Sequence, residues 1–374
     1  MWGCSDVSDV STADAGNLAG TDGLGGSIDI EEETATVSGT LQVHFIDVGQ
    51  GDCTLISSDG HYMLIDAGDN NKGTAVQLYL SKQGVTTLDY VIGTHPDSDH
   101  IGGLDVILTK FDCGTVFLED SDKDTKTYQE VLDALTATSE QYVVPTLGDT
   151  YTLGEATFTI VGPVNQTNDG NNNSICILLT HGENTFLFCG DSEEAEEADM
   201  VASGMSLQAD VYKVSHHGSK NGTTSDFYNV VAPAYAVISV GEGNSYGHPD
   251  AETLNILRSG STKVFRTDEQ GSIVITSDGV NLSFNCAPSE TWQAGEGSEH
   301  GTEESVDSAA ADGQIVAEAP SETPATGNYV LNTKTKKFHL PSCGHLPTSN
   351  REDSTLSREE LISQGYDPCG FCEP

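Results

Sequence analysis

From residue 41 to about residue 286 the apolar residues come in short runs separated by Gly, Asn and Asp. "LQVHFIDVG" (41–49) alternates with period two and closes on glycine, the signature of a half-buried strand. "CTLISSDGHYMLIDAG" (53–68) reads as a hairpin turning at Asp59-Gly60, and "YVIGTH" (90–95) as a short buried strand. "GTAVQLYLSKQGV" (73–85) changes to a helical period and has a glycine near its end. Further strands are predicted at "TFTIVGP", "SICILLTHG", "NTFLFCGD", "ADVYKVSHHG", "YAVISVG", "KVFRTD" and "GSIVITSDGVNLSF". Helices fit "HIGGLDVILTKF", "YQEVLDALTAT", "EEAEEADMVAS" and "DAETLNILRS". Two groups of strands with helices between them predict two mixed sheets with helices on the outer faces, a four-layer α/β sandwich.

Composition confines that prediction to the middle of the chain. Of 374 residues only 36% are hydrophobic, too few for one packed body throughout. Residues 1–40 form an acidic tether and residues 287–328 an acidic linker, both poor in aromatics and free of Lys and Arg. The formal charge is −43, yet residues 41–287 still hold 35 acids against 10 bases, a net of −25. That surface disfavours unaided binding of free duplex DNA, which is gripped through a basic face. No apolar run reaches 18 residues, so none is long enough to span a membrane as a helix. Gly3-Cys4 followed by Ser and Asp looks like a lipid-attachment cysteine. The expectation is a tethered protein outside the cytoplasm, attached to the membrane through Cys4; the alternative is a disordered terminus with a chance cysteine.

The middle also concentrates metal-competent side chains where strands end. "THPDSDHIGG" (94–103) sets out His95-x-Asp97-x-Asp99-His100 before a Gly-Gly turn. Four other strand ends run into Asp66, Asp191, the His216-His217 pair and His248. A single such residue is usually a turn former, but five such segments in one domain are not a coincidence of composition. In an extended segment residues 95 and 97 point the same way and can share one cation. Asp99 and His100, in the turn opening the next helix, can serve a second, with Gly102 and Gly103 letting that helix press close. Asp191 is the natural bridging carboxylate of a pair of cations. Successive strand residues face opposite sides, so one of His216 and His217 is expected to be a ligand. His248 is either a last ligand or a general acid at the leaving group.

Taken together, "HFIDVGQGDCTLI", "LIDAG", "THPDSDHIGG", "GD", "KVSHHGS" and "YGHP" resemble the metallo-β-lactamase-fold hydrolase domain of ComEC-like DNA-uptake proteins, over residues 41–286. The resemblance implies the αββα fold, two divalent metal ions and hydrolysis of phosphodiester bonds, with short or single-stranded DNA a possible substrate. It makes His95, Asp97, Asp99, His100, Asp191 and one of His216 or His217 the ligands, and Asp66 the carboxylate that orients a ligand histidine. Asn171 to Ser174 ("NNNS") stand where other branches place a further metal histidine. Asp99, His248 and Asp66 are the expected catalytic set; Asp47, Gln50 and Asp52 edge the site without an assigned role. Asp in place of His at 97 hardens the site and shifts preference from Zn²⁺ toward Mn²⁺ or Mg²⁺; the expected cofactor is a pair of divalent ions, zinc or manganese. Nothing in the chain corresponds to the channel's membrane helices or nucleic-acid-binding barrel, so DNA uptake does not follow from the motif.

Residues 329–374 read as a separate small module too short to hold together by core burial alone. His339-x3-Cys343 and Cys369-x2-Cys372 have the spacing of a structural zinc site, and the segment is similar to Ada-like metal-binding modules. A disulfide from Cys343 to Cys369 or Cys372 is the competing expectation, with His345 at the surface. Cys53, Cys113, Cys176, Cys189 and Cys286 are expected to be free thiols, mostly in buried strands. Two other functions stay open: an extracellular accessory protein docking through this module, and a hydrolase of another ester such as a choline phosphoester.

Overall fold

The computed structural model describes residues 39–295, apart from 120, 122, 168 and 169, and near the C-terminus residues 329–334, 336–339, 351–354, 356, 361, 364 and 366–368. Cys4, most of the tether and linker, His345 and Cys343, Cys369 and Cys372 lie outside the described residues. The chain divides into two compact units, residues 1–301 and 302–374.

From its start the larger unit runs β1 (Leu41–Phe45), β2 (Thr54–Ser58), β3 (His61–Ile65), α1 (Gly73–Lys82), β4 (Thr87–Gly93), α2 (Ser98–Ile101), α3 (Leu104–Lys110), β5 (Asp112–Leu118), α4 (Lys126–Thr138) and β6 (Tyr142–Val143). It continues with β7 (Thr150–Leu153), β8 (Ala156–Gly162), β9 (Cys176–His181), β10 (Asn184–Phe188), α5 (Glu194–Ser203), β11 (Val211–Lys213) and α6 (Ser225–Val231). The last elements are β12 (Tyr235–Ile238), α7 (Ala251–Ser259), β13 (Lys263–Arg266), α8 (Thr267–Gln270), β14 (Ile273–Ser277) and β15 (Leu282–Phe284). One sheet has the order β15-β14-β1-β2-β3-β4-β5-β6 and the other β13-β12-β11-β10-β9-β8-β7. Both are mixed: β3 to β6 pair in parallel, as do β10 to β13, and the remaining pairs are antiparallel.

Three apolar layers account for the order α, β, β, α. Leu41, Val43 and Phe45 of β1 meet Phe158, Ile177, Phe186 and Phe188 of the other sheet in a core between the sheets. The opposite face of the first sheet packs Leu64 and Val91 against Val76 of α1, Leu104 and Ile107 of α3, and Val131 and Leu135 of α4. The outer face of the second sheet packs Leu187 and Tyr212 against Met200 of α5, Phe227 of α6 and Leu254 of α7. Each side chain of this size contributes about 1.5–3 kcal/mol when fully buried. The predicted sandwich is therefore the observed one, and the hairpin turns at Asp59 and Gly60, both with positive φ.

Two local expectations change. The helix read from "HIGGLDVILTKF" is two short helices, α2 and α3, broken at Gly102 and Gly103. A side chain at either glycine would strike backbone, 2.3 Å from Asn70 N or 2.4 Å from Ala67 O, so this turn can press against the loop after β3 only as Gly-Gly. The strand read through "ADVYKVSHHG" stops at Lys213. His216 and His217 lie in a tight turn with left-handed backbone, φ 49° and 52°, so strand alternation does not apply to them.

That turn is held from behind. The Tyr212 hydroxyl accepts from Ser215 N and contacts Ser215 Oγ and Thr223 Oγ1. Glu197 of α5 accepts from Thr223 N and Thr224 N at 2.5 and 2.7 Å. Burial pushes the Glu197 carboxyl up to about 7, against these hydrogen bonds. In the smaller unit β16 (Tyr329–Asn332), β17 (Lys337–His339), β18 (Arg351–Ser354) and β19 (Asp367–Pro368) form a sheet ordered β18-β16-β17-β19. Leu331, Phe338, Leu361 and Tyr366 make its core, and His339 is buried at the end of β17.

Glu197 yields a stability prediction. Its folded pKa of about 7 stands above the ordinary 4.5, so the native state binds the proton more tightly than the unfolded chain. The resulting stability is fully present below about pH 4.5 and is lost as pH rises through 7. A shift of this size corresponds to roughly 3 kcal/mol at most. Thermal unfolding across pH 4.5 to 8 should therefore show Glu197→Gln flattening part of the decline seen in the parent chain; an unchanged slope would contradict the assignment.

Candidate metal centre

The metal-competent residues gather where β3, β4, β10 and β11 end, at the carboxyl edges of parallel strands from both sheets. Chain reversals there leave side chains free to converge, as in other open α/β sheets.

Asp66 follows β3 with φ +59° and is fully buried. Its Oδ1 accepts from Thr94 N, and its Oδ2 from Thr94 Oγ1, both at 2.8 Å. The same Oδ2 lies 2.8 Å from His100 Nδ1. A carboxylate on Nδ1 fixes the proton there and points Nε2 of the ring away from it. Asp66 thus orients His100, as the resemblance implied.

His95 comes straight off β4, its Nδ1 3.2 Å from Thr94 Oγ1 and 3.4 Å from Ser174 Oγ. Burial, reinforced by the neighbouring His100, drives its pKa down to about 3, so the ring is neutral with a lone pair to offer. Asp191, three residues past β10, donates its backbone N–H to Ser174 Oγ at 3.1 Å. Its Oδ1 is 3.2 Å from His100 Nε2 and its Oδ2 is 3.4 Å from His217 Nε2. Each oxygen therefore faces a different histidine, the disposition a bridging carboxylate needs. His217 Nε2 is also 3.3 Å from Asp99 Oδ2, and its Nδ1 is 2.9 Å from the Ser239 carbonyl.

Ligand atoms of His95, His100 and Asp191 lie within 4.8 Å of one another, and so do those of Asp99, His100 and His217. Nε2 of His95, His100 and His217 and Oδ1 of Asp191 are sealed from solvent without a well-formed hydrogen bond. Buried lone pairs left in this way are costly, and imidazole with carboxylate is a donor set suited to divalent cations. The residues fit a metal pair. Burial alone would lower the pKa of His100 and His217, but Asp191, with Asp66 and Asp52, raises both well above the ordinary range. Burial alone would raise Asp191, whereas these two rings hold it well below. A divalent cation here competes with protons.

Other expected residues sit at the periphery. Asp97 is half-exposed, its Oδ1 paired with Lys123 Nζ at 2.5 Å and its Oδ2 3.8 Å from His95 Nε2. It belongs to neither close ligand group among the described residues. His216 also faces the centre: its Nε2 is 3.7 Å from Asp191 Oδ2, while its Nδ1 lies 3.0 Å from Glu193 Oε1. The turn brings both histidines toward Asp191, so strand alternation is not what separates them, and His217 is the one in the close groups. The His248 ring stands 5.7 Å from that of His216, and its Nδ1 is 3.5 Å from Asp250 Oδ2. It lies outside the close groups but lines a cleft of about 100 Å³ with Gln50, Asp97, Asp99, Asp191, His216, His217 and Tyr246. Gln50 Oε1 accepts from Gly241 N at 3.3 Å, and Asp47 is exposed and caps Gly49 N. Asn172, of the "NNNS" segment, accepts from Glu193 N and Glu196 N and so braces the start of α5. Asp52 and Lys213, which carried no role in the sequence, are buried directly beside His217. Their signal was a lysine inside an otherwise apolar strand and an acid within "GQGDC".

Two measurements check this geometry. Asp191→Ala should lose both metal ions together, because each close group or its bridge depends on that carboxylate; retention of one tightly held ion would contradict it. Loading the chelated protein in weakly buffered solution should release protons from His100 and His217, so apparent affinity should rise with pH, by up to about tenfold per unit for each proton released. An affinity independent of pH between 6 and 8 would contradict it.

Residues 46–242 match the metallo-beta-lactamase superfamily model. The chain is 28% identical over 251 residues to ComE operon protein 3 of Bacillus subtilis, covering 62% of this chain and 32% of that protein. It is 29% identical over 245 residues to Recombination protein 2 of Haemophilus influenzae, covering 63% of this chain and 28% of that one. The matched region thus spans about a third of the length of these curated relatives. Among solved structures, it is similar to the metallo-beta-lactamase fold protein YhfI from Bacillus subtilis, with TM-score 0.43 and 14% identity over 64% of this chain and all of that one. On the family match over more than half its length, joined to the two-sheet fold, the chain belongs to the metallo-β-lactamase superfamily.

Proposed function

We propose that this chain is a two-metal hydrolase of phosphodiester bonds, acting on short or single-stranded substrates. The observation that carries the reading is Asp191, one oxygen toward each of two ligand groups, beside a cleft of about 100 Å³ edged by His248. Divalent cations bound in such a pair supply an activated water and neutralise charge on the phosphoryl oxygens. His248 is placed to give a proton to the departing alkoxide, with Asp250 Oδ2 3.5 Å from its Nδ1. Asp99 and Asp191 hold the attacking side, and Asp66 keeps His100 turned inward. Lys123 is paired with Asp97, which lines this cleft.

A cleft of this volume takes one phosphoryl group rather than a duplex. The net of −25 over residues 41–287 repels long polyanions. Relatives named for competence and recombination support a nucleic-acid substrate over a β-lactam. The Asp99 and Asp191 carboxylates with three imidazoles accommodate manganese or zinc. Under this proposal the acidic tether, with Cys4 as its anchor, holds the enzyme outside the cytoplasm, and the module from residue 329 is a zinc-stapled element.

The test is turnover of bis-p-nitrophenyl phosphate, single-stranded DNA and p-nitrophenylphosphorylcholine after loading with Mn²⁺ or Zn²⁺. The first two should be cleaved. Cleavage of the choline ester alone would move the substrate class, and no turnover with either metal would favour an accessory role. His248→Ala should retain its metal and lose about 10²- to 10⁴-fold in kcat; an unchanged kcat would remove His248 from the chemistry.

A further inference from the structure

Asp52 and Lys213 are both at most 5% exposed, and neither lines the cleft. Asp52 Oδ2 is ion-paired to Lys213 Nζ, and its Oδ1 is 3.3 Å from His217 Nδ1. Its Oδ2 is also 3.9 Å from His100 Nδ1, and Asp52, Asp191 and His217 form a third close group of ligand atoms. Backbone fixes this carboxylate where it is. Asp52 N donates to the Asp99 carbonyl at 3.0 Å, and Gly68 N donates to the Asp52 carbonyl at 2.8 Å. The chain reaches this position only because residue 51 is glycine, with φ +123°; a Cβ there would lie 2.3 Å from Asp99 O. Lys213 enters from β11, paired with Phe188 on one side and Val237 on the other, in the middle of its sheet.

A fixed carboxylate this close to two ligand histidines would, uncompensated, be one more anion available to a metal. We propose that Lys213 is a built-in cation that balances Asp52, so that Asp52 positions His217 without joining the ligands. The inference rests on the metal-centre reading and is independent of the substrate. It makes Lys213 and Asp52 positioning residues. The Ser239 carbonyl accepts from His217 Nδ1 at 2.9 Å and the Asp52 carboxylate stands 3.3 Å from the same nitrogen, which turns Nε2 toward Asp99 and Asp191. Lys213 carries the charge that lets it do so. Removing one partner of a buried pair strands the other, whereas removing both can be nearly neutral.

The experiment compares Lys213→Met, Asp52→Asn and the double variant by Zn²⁺ and Mn²⁺ titration of the full chain against a chelating dye, without substrate. Each single variant should bind one of its two metal ions about 10- to 100-fold more weakly than the parent. In Lys213→Met the uncompensated carboxylate is drawn out of its place beside His217 Nδ1, so that ring is no longer held toward its ion, and in Asp52→Asn a bare buried ammonium is left behind the ring. The double variant should recover to within about tenfold of the parent. Parental affinity in Lys213→Met, or a double variant no better than the worse single, overturns the proposal. Should the single variants not fold, the double variant decides: folding with two metal ions bound supports the balance. Failure of the double to fold contradicts it, since a pair whose charges cancel is replaceable by neutral groups. Absent turnover of any phosphodiester alongside the expected affinities would sink the substrate reading and leave this one standing.

Discussion

Imidazoles and carboxylates withdrawn from water with lone pairs unanswered cost several kcal/mol each, and neighbouring anions compound the cost. His95, His100, Asp66, Asp52, Asp191, Lys213 and His217 are all buried together between two apolar sheets. Part of that cost is met internally: Asp66 by Thr94 and His100, Asp52 by Lys213. Nε2 of His95, His100 and His217 and Oδ1 of Asp191 remain unanswered, as does Asp52 Oδ1. The fold tolerates this because the three apolar layers supply the stability the polar cluster withholds. A divalent pair would answer the three ring nitrogens and the Asp191 oxygen together.

The sandwich matters here through its strand ends. Parallel β3 and β4 deliver Asp66 and His95 from one sheet, and parallel β10 and β11 deliver Asp191 and His217 from the other. Between them, loops approach closely only through glycine: Gly51 against Asp99, Gly102 and Gly103 against the loop after β3, and Gly190 against Thr94 and Ser174. Packing that keeps the sheets in register therefore keeps the ligand atoms within reach of one another.

Most of this was legible because it follows from local pattern. Alternating runs named the strands, and five strand ends with metal-competent residues named the centre. Asp191 was read as a bridge and its two oxygens do face different histidines. What was not legible depended on backbone that departs from its neighbours. The strand reading carried through Val214 to Gly218, where the chain turns left-handed and both histidines swing to one side. β5, β6, β7 and α6 were not read from the sequence; "YV" and "TYTL" lack the length for a period to show, whereas "DCGTVFL" and "SDFYNVV" carry no clear alternation or helical period. Lys213 passed unremarked inside a predicted strand, and only tertiary packing sets it opposite Asp52, far earlier in the chain. Asp97, read from spacing as a ligand beside His95, has its Oδ2 3.8 Å from His95 Nε2 and its Oδ1 on Lys123.

The central claim is that two cations sit between His95 and His217, bridged by Asp191. Its most direct test is an anomalous-difference map from crystals of protein purified without chelators, recorded at the absorption edges of manganese and zinc. The account predicts two peaks about 3.5–4 Å apart, one on each side of the Asp191 carboxylate. A map without density there, from protein that folds and packs as described, would contradict it.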